Sequence, residues 1–171
     1  RAVVPKAEPP QKTDAPLILV VEDNPDMNAF ISAALAGRYR IFTATDGQSG
    51  LEKTLALKPD LILADLMMPI MSGDQMARAI RQHEEFKDVP IVILTAKADE
   101  KLRIQMLREN VQDYINKPFT VDELLVRVDG LIKTRERAEE KLAASREQLN
   151  GIITSAMDAI VSVDAEQRVM L

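Results

Sequence analysis

Hydrophobic residues in the first two-thirds of the chain form short continuous runs that alternate with longer amphipathic stretches. The runs are LILVVE, YRIFTA, LILAD, PIVILT and DYIN, and the amphipathic stretches are DMNAFISAALAG, GQSGLEKTLALK, GDQMARAIRQHEE and DEKLRIQMLREN. Continuous apolar runs of this length are typical of strands, whereas apolar spacing of three and four predicts helices. The alternation predicts βα units joined in a parallel sheet.

The runs LILVV, LILA and IVIL are apolar at nearly every position. Strands of this kind are covered on both faces, as the central strands of parallel sheets are. Five strands with helices on both sides predict an open three-layer α/β domain with a five-stranded parallel sheet. Ligands of such sheets bind beyond the carboxyl ends of the strands.

Two further segments flank this domain. Residues 1–16 contain four of the nine prolines and predict an extended, flexible linker. Residues 120–156 lack proline and are rich in Glu, Lys, Arg, Leu and Ala, which predicts one long helix. A heptad-like seam runs from Leu124 through Val128, Leu131, Arg135, Ala138, Leu142, Ser145, Leu149 and Ile152 to Ala156. The seam favours a parallel homodimer, with a helix folded back on its own domain as the alternative.

Composition narrows the possible chemistry. The chain has no cysteine, which excludes disulfides and thiolate catalysis, and its single histidine cannot by itself build a multi-histidine metal site. The net charge of −5, without a clustered basic face, argues against nucleic-acid binding. No apolar run is long enough to span a membrane and the start is no signal peptide, so we expect this segment to lie in the cytoplasm.

Polar side chains follow four of the predicted strands at the same edge of the sheet. They are Glu22 and Asp23, Asp65, Thr95 and Lys117. Three carboxylates that meet at one edge repel one another unless a cation is present. Mg²⁺ suits such a set, because it is bound through one or two carboxylates, waters and phosphate oxygens. A hydroxyl and an ammonium group suit phosphate oxygens, so the set predicts phosphoryl transfer to Asp65.

These residues lie in motifs that together resemble the receiver domain of two-component response regulators. The motifs are VVEDNPD, DLMMPIMSG, the LTA that ends at Ala96, and DYINKPF, and the resemblance covers residues 17–132. It implies a flavodoxin-like fold with the strand order 2-1-3-4-5, and it implies that Asp65 accepts a phosphoryl group from a histidine kinase or a phosphotransfer protein. It also implies a Mg²⁺ or Mn²⁺ ion held by Asp23, Asp65, the backbone carbonyl of Met67 and, through water, Glu22.

The same resemblance assigns the remaining site residues. Thr95, Ala96 and Lys117 would bind the phosphoryl group, and Thr95 and Tyr114 would form a switch pair. The Lys117–Pro118 bond would be cis. A degenerate receiver that serves only as a dimerisation scaffold is one alternative. A phosphatase with an Asp nucleophile is another, although it needs a second Asp two residues later, where this chain has Met67.

Residues 157–171 change character again, with an apolar stretch, an Asp-Ala-Glu-Gln turn and the start of a second apolar stretch. They resemble the first hairpin of a PAS sensory domain. The interpretation is a multidomain signalling chain, either a hybrid histidine kinase or a receiver-PAS regulator. Its enzymatic activity would be limited, within these residues, to self-phosphorylation and autodephosphorylation.

Overall fold

The structure is a computed structural model that describes residues 15–96 and 111–164, with side chains as far as Ser155. The expected helix at residues 99–110 lies outside this range, and so do residues 1–14 of the expected linker and residues 165–171. Within the range, every element predicted for the α/β domain is present.

Five parallel strands form one sheet in the order β2-β1-β3-β4-β5. They are β1 (Leu17–Val21), β2 (Arg40–Ala44), β3 (Leu61–Asp65), β4 (Ile91–Ala96) and β5 (Asp113–Lys117). In register, Val21 lies opposite Ala44 and Ala64, Asp65 opposite Leu94, and Thr95 opposite Asn116. This is the flavodoxin-like arrangement that the sequence predicts, and it brings the carboxyl ends of β1, β3, β4 and β5 to one edge.

Helices cover the sheet on both faces. They are α1 (Pro25–Leu35), α2 (Gly47–Leu57), α3 (Gly73–Arg81) and α4 (Val121–Asp164), with a 3₁₀ turn at Glu84–Phe86. Alternate residues of β1, β3 and β4 contribute to two separate buried clusters, one on each face. The strands are therefore apolar at nearly every position because both of their faces are buried.

The first part of α4 belongs to the core of the domain. Leu124, Val128 and Ile132 are buried in one of the two clusters. Asp129 accepts hydrogen bonds of 2.5 Å from the Tyr39 hydroxyl and from the Arg38 guanidinium. The expectation that Leu124 and Val128 belong to an intermolecular seam is therefore wrong, because the domain's own sheet buries both side chains. Any such seam begins after Lys133.

The helix also extends further than expected. It continues to Asp164 through residues 159–163, where the sequence favours a strand. That strand is absent from the structure. A helix satisfies its backbone hydrogen bonds within one segment, whereas a strand needs a neighbour, and the described residues offer none there. The resemblance of residues 157–171 to a PAS hairpin stays a prediction.

The chain divides into two compact units between Lys133 and Thr134. In the second unit the large apolar side chains Leu142, Leu149, Ile152 and Ile153 are each more than half exposed. In the part of the chain that the structure describes, no helix is both long and apolar enough to cross a bilayer.

Candidate active site

Three carboxylates converge at the carboxyl edge of the sheet. Glu22 and Asp23 follow β1, and Asp65 ends the neighbouring strand β3. One carboxylate oxygen from each of the three lies within 4.8 Å of the other two. Glu22 is 1% exposed and Asp65 8% exposed, whereas Asp23 is open to solvent. The arrangement concentrates negative charge at the carboxyl edge of the sheet, with two of the three carboxylates buried and Asp23 exposed.

Lys117, at the end of β5, places a positive charge between two of these acids. Its Nζ atom donates to Oε2 of Glu22 at 2.7 Å and lies 3.1 Å from Oδ1 of Asp65. Burial acts to lower the pKa of Lys117, but hydrogen bonds to Glu22 and Asp65 and their charges outweigh it, so the pKa is raised above its ordinary value. Lys117 is therefore charged at neutral pH and, within residues 15–96 and 111–155, is the cation that contacts two of the three carboxylates.

The carboxylate of Asp65 is engaged on one side only. Its Oδ1 atom accepts the backbone N–H of Leu66 at 2.9 Å and faces Lys117 at 3.1 Å. Among the residues that the structure describes, Oδ2 has no hydrogen-bond donor. The two oxygens of Glu22, by contrast, accept from Lys117 and from the backbone N–H of Asn24 at 3.2 Å. One oxygen of Asp65 is thus free to react, whereas both oxygens of Glu22 are engaged by hydrogen-bond donors.

Thr95 lies at the same edge, on the strand next to Asp65. Its side chain is almost fully buried, at 3% exposure, and its hydroxyl donates to the carbonyl of Ala96 at 2.9 Å. Tyr114 is half-buried and lies opposite Ile93, two residues before Asn116, the partner of Thr95. Since side chains alternate along strands, Thr95 and Tyr114 are on the same face of the sheet. Tyr114 is, however, set back from the carboxylates, consistent with an indirect role.

The loop after Asp65 is held closed by a glycine. The Gly73 N–H donates to the carbonyl of Leu66 at 3.0 Å, and a Cβ at Gly73 would lie 2.3 Å from the carbonyl oxygen of Asp65. Within the loop, Ile70 has a φ of 68°, which is unusual for a β-branched residue. Met67 is 76% exposed. Only glycine at position 73 allows α3 to begin this close to Asp65.

Sequence reasoning missed two asparagines that support the acidic pair. Asn24 caps α1, since its side chain accepts from the backbone N–H groups of Asp26 and Met27 at 3.0 Å. Asn28, in the first turns of α1, donates to the backbone carbonyl of Glu22 at 3.1 Å. Asn before Pro25 at a helix start is a recognisable cap signal. Nothing in the sequence marks Asn28, because its contact depends on where the chain turns after β1.

The loop after β5 completes one wall of the site. The Lys117–Pro118 bond is cis, which confirms the prediction. Phe119 then places its ring 6.3 Å from that of Phe30 on α1. A cavity of about 320 Å³ lies beside this pair, lined by Glu22, Asn24, Asp26, Met27, Phe30 and Lys117. The cavity gives a protein side chain or small molecule access to the acidic cluster from the α1 side.

Comparison with known proteins decides the family. Residues 18–129 match the model of the response regulator receiver domain, which is more than half of the chain. The chain belongs to the response regulator receiver family. Among solved structures, it is similar to the receiver domain of the sensor histidine kinase PA1611 from Pseudomonas aeruginosa, with 35% identity and a TM-score of 0.64. That match covers 70% of this chain and 98% of the other, whose active-site cleft holds a coordinated magnesium ion.

The receiver is also similar to parts of much larger proteins. The whole chain is 49% identical, over 81% of its length, to the hybrid signal transduction histidine kinase D of Dictyostelium discoideum. It is 45% identical, over 85% of its length, to the sensor histidine kinase TmoS of Ectopseudomonas mendocina. The chain spans only 9% and 15% of those two proteins.

Proposed function

We propose that this receiver accepts a phosphoryl group on Asp65 from a phosphohistidine of a histidine kinase or a phosphotransfer protein. The observation that supports the proposal is the one-sided engagement of Asp65. Oδ1 is held by Leu66 and Lys117, and Oδ2 has no hydrogen-bond donor among the residues that the structure describes. A carboxylate that is fixed in this way can act as a nucleophile without first losing a hydrogen bond.

In the proposed reaction, an oxygen of Asp65 attacks the phosphorus of the phosphohistidine. A P–O bond forms as the P–N bond breaks, and the imidazole leaves with the electron pair of that bond and takes up a proton. Lys117 offsets the negative charge that spreads over the phosphoryl oxygens. Water later attacks the phosphorus of the aspartyl phosphate, the P–O bond to Asp65 breaks, and inorganic phosphate is released together with the free carboxylate. The domain would thus catalyse its own phosphorylation and dephosphorylation.

The residues at the site fit a divalent cation. Among the described residues, three carboxylates have oxygens within 4.8 Å of one another and Lys117 contacts two of them, which leaves an excess of negative charge in that set. Asp23 and Asp65 would ligate Mg²⁺ or Mn²⁺ directly, together with the Met67 carbonyl. Glu22 would act through water, which agrees with the engagement of both its oxygens by protein donors. When bound, the metal supplies positive charge to the phosphoryl oxygens.

After transfer, Thr95, Ala96 and Lys117 would bind the phosphoryl oxygens. The Thr95 hydroxyl would leave the Ala96 carbonyl, to which it now donates, and turn towards the phosphoryl group. Tyr114 lies on the same sheet face and would move into the space that Thr95 vacates. A change of charge at one side chain would thereby shift a packing equilibrium, as in other two-state switches.

The output is proposed to pass through α4. The match to TmoS covers 147 residues, whereas the receiver model matches only residues 18–129. The residues before Ile18 are too few to make up the difference, so part of the match lies after residue 129. The similarity to that kinase therefore continues into the helix beyond the receiver. We infer that this chain is the receiver and linker of a hybrid sensor kinase that works in the cytoplasm, with a PAS-like domain after the end of α4 at Asp164.

The same helix is the proposed dimer contact. Leu142, Leu149 and Ile152 follow a spacing of seven and three and are each more than half exposed.

Analytical ultracentrifugation of the chain at tens of micromolar is expected to show a dimer, and Leu149→Glu is expected to show a monomer. A matched control is Glu147→Gln, which lies off the seam. A monomeric wild-type chain would contradict the dimer without affecting the phosphorylation proposal.

Phosphorylation itself is tested with a small phosphodonor and Mg²⁺, followed by intact mass. We expect the wild-type chain to gain one phosphoryl group and Asp65→Asn to gain none. Asp60→Asn is the matched control, because Asp60 is a carboxylate at the opposite edge of the sheet, where it accepts from Leu17. Absence of phosphate on the wild-type chain would favour the scaffold alternative. Turnover of the phosphodonor without a bound intermediate would favour a phosphatase.

A further inference from the structure

Asn28 makes a bridging contact beneath the acidic cluster. Its Nδ2 atom lies 3.1 Å from the backbone carbonyl of Glu22 and 3.4 Å from that of Ala44, the last residue of β2. Its Oδ1 atom faces the Ser32 hydroxyl at 3.4 Å. Because both carbonyls are acceptors only, the side-chain NH₂ must face them. One amide thus links α1 to the ends of two strands.

The carbonyl of Glu22 depends on this donor for geometric reasons. The ladder between β1 and β3 ends at Val21 and Ala64, so no neighbouring strand is paired with Glu22 on that side. On the other side, the N–H of Glu22 donates to the Ala44 carbonyl at 3.0 Å. Glu22 is 1% exposed, which leaves water little access to replace a lost protein donor. The backbone of Glu22 is therefore held from both sides.

We propose that Asn28 is a positioning residue that fixes the backbone of Glu22 and Asp23 and thereby sets the affinity of the site for a divalent cation. The inference rests on the proposed function of the acidic cluster. The contacts of Asn28 are with the backbone of Glu22 and Ala44 and with Ser32, so it would act on the cation through the backbone. It holds the turn from which both side chains project, and a shift of that turn changes the distance from Asp23 to Asp65.

Mn²⁺ binding to the unphosphorylated chain, followed by electron paramagnetic resonance, tests the proposal directly. Groups that orient metal ligands typically change affinity by ~10- to 100-fold when they are removed. Asn28→Leu keeps the branched shape and the number of side-chain heavy atoms but removes the donor, so we expect its Kd for Mn²⁺ to rise by about 10-fold. Asn28→Ser keeps a shorter donor and is expected to fall between Leu and wild type. It also provides the comparison if Asn28→Leu does not fold.

A matched control separates positioning from general stability. Gln112→Leu removes a side chain that accepts the Ile91 N–H at 2.8 Å at the opposite edge of the sheet. It is expected to lower the free energy of unfolding and leave the Kd for Mn²⁺ unchanged. At saturating Mg²⁺, phosphorylation of Asn28→Leu by a small phosphodonor is expected to recover to within about twofold of wild type, because the reacting groups are intact.

Two results would overturn the inference. One is a Kd for Mn²⁺ in Asn28→Leu that equals the wild-type value. The other is an equal loss of Mn²⁺ affinity in Gln112→Leu, which would trace the effect to stability alone. If the wild-type chain binds Mn²⁺ but takes up no phosphate, the proposed function fails while the role of Asn28 in cation binding stands.

Discussion

Replacement of Lys117 by methionine tests the electrostatic basis of the site. Lys117→Met keeps most of the side-chain volume but leaves Glu22 and Asp65 without the cation that lies 2.7 and 3.1 Å from them. Oxygens of the two acids lie within 4.8 Å of each other. At an effective dielectric constant of about 20, two charges at that distance repel by ~3.5 kcal/mol.

The expected loss of stability is smaller than the energy of a fully buried pair. Removing one partner of a buried ion pair typically costs ~3–5 kcal/mol. The Lys117 side chain is 20% exposed, so water screens part of the interaction. We therefore expect Lys117→Met to lower the free energy of unfolding by about 2–4 kcal/mol at neutral pH without divalent cations.

Urea unfolding followed by circular dichroism measures this difference, since the chain has no tryptophan. Mg²⁺ is expected to stabilise Lys117→Met more than the wild-type chain, because the ion replaces the missing positive charge. Lys133→Met, which lies at the end of the first unit, is the matched control for loss of a lysine. A loss below about 0.5 kcal/mol in Lys117→Met, the size of an ordinary surface change, would refute the electrostatic reasoning.

The dependence on pH follows from the raised pKa of Lys117. Hydrogen bonds to Glu22 and Asp65 outweigh burial and hold the pKa of this lysine above its ordinary value of 10.5. A lysine whose pKa is higher in the folded chain than in the unfolded chain stabilises the fold fully when the pH is below its pKa in the unfolded chain. This stabilisation is lost as the pH rises through its pKa in the folded chain. The stability difference between wild type and Lys117→Met should therefore be constant from neutral pH to about pH 9 and narrow above pH 10.5.

Three further substitutions probe the surroundings of the site. Gly73→Ala should lower the free energy of unfolding by about 1–3 kcal/mol, measured by urea unfolding, because its Cβ would lie 2.3 Å from the Asp65 carbonyl oxygen. Arg81→Met should cost ~2–3 kcal/mol in the same measurement, because Arg81 donates to the carbonyls of Phe86 and Val89 at 2.6 and 2.8 Å. It should leave phosphorylation of Asp65 unchanged. We infer that Met67, which is 76% exposed and lies two residues after Asp65, hinders the water that attacks the aspartyl phosphate. Met67→Asn should then speed that decay by about threefold or more, ~0.7 kcal/mol in the barrier.

Each of the three has a result that contradicts it. Wild-type stability in Gly73→Ala would show that the loop can shift without cost, and Gly37→Ala, where a Cβ meets nothing within 4 Å, is its control. Impaired phosphorylation in Arg81→Met would mean that the hydrogen bonds of Arg81 to Phe86 and Val89 also affect the phosphorylation site. Equal decay rates for wild type and Met67→Asn would reject steric hindrance of the water by Met67.

The sequence by itself determines the order of elements and the identity of the polar side chains at the carboxyl edge of the sheet. LILVV, LILA and IVIL are apolar at every position because central parallel strands are buried on both faces, so the pattern specifies the fold before any contact is known. In a parallel sheet all carboxyl ends meet at one edge, which places Glu22, Asp23, Asp65, Thr95 and Lys117 together. That deduction needs no coordinates.

Two features depend on contacts between residues that are distant in the sequence, and only the tertiary structure decided them. Periodicity assigned Leu124 and Val128 to a seam between chains, but the same spacing serves a helix that packs on a sheet, and the domain's own core buries both. Asn28 carries no sequence signal, since its role follows from the end of the β1–β3 ladder at Val21. Local patterns report which face of an element is apolar, whereas the partner of that face is set by how the whole chain packs.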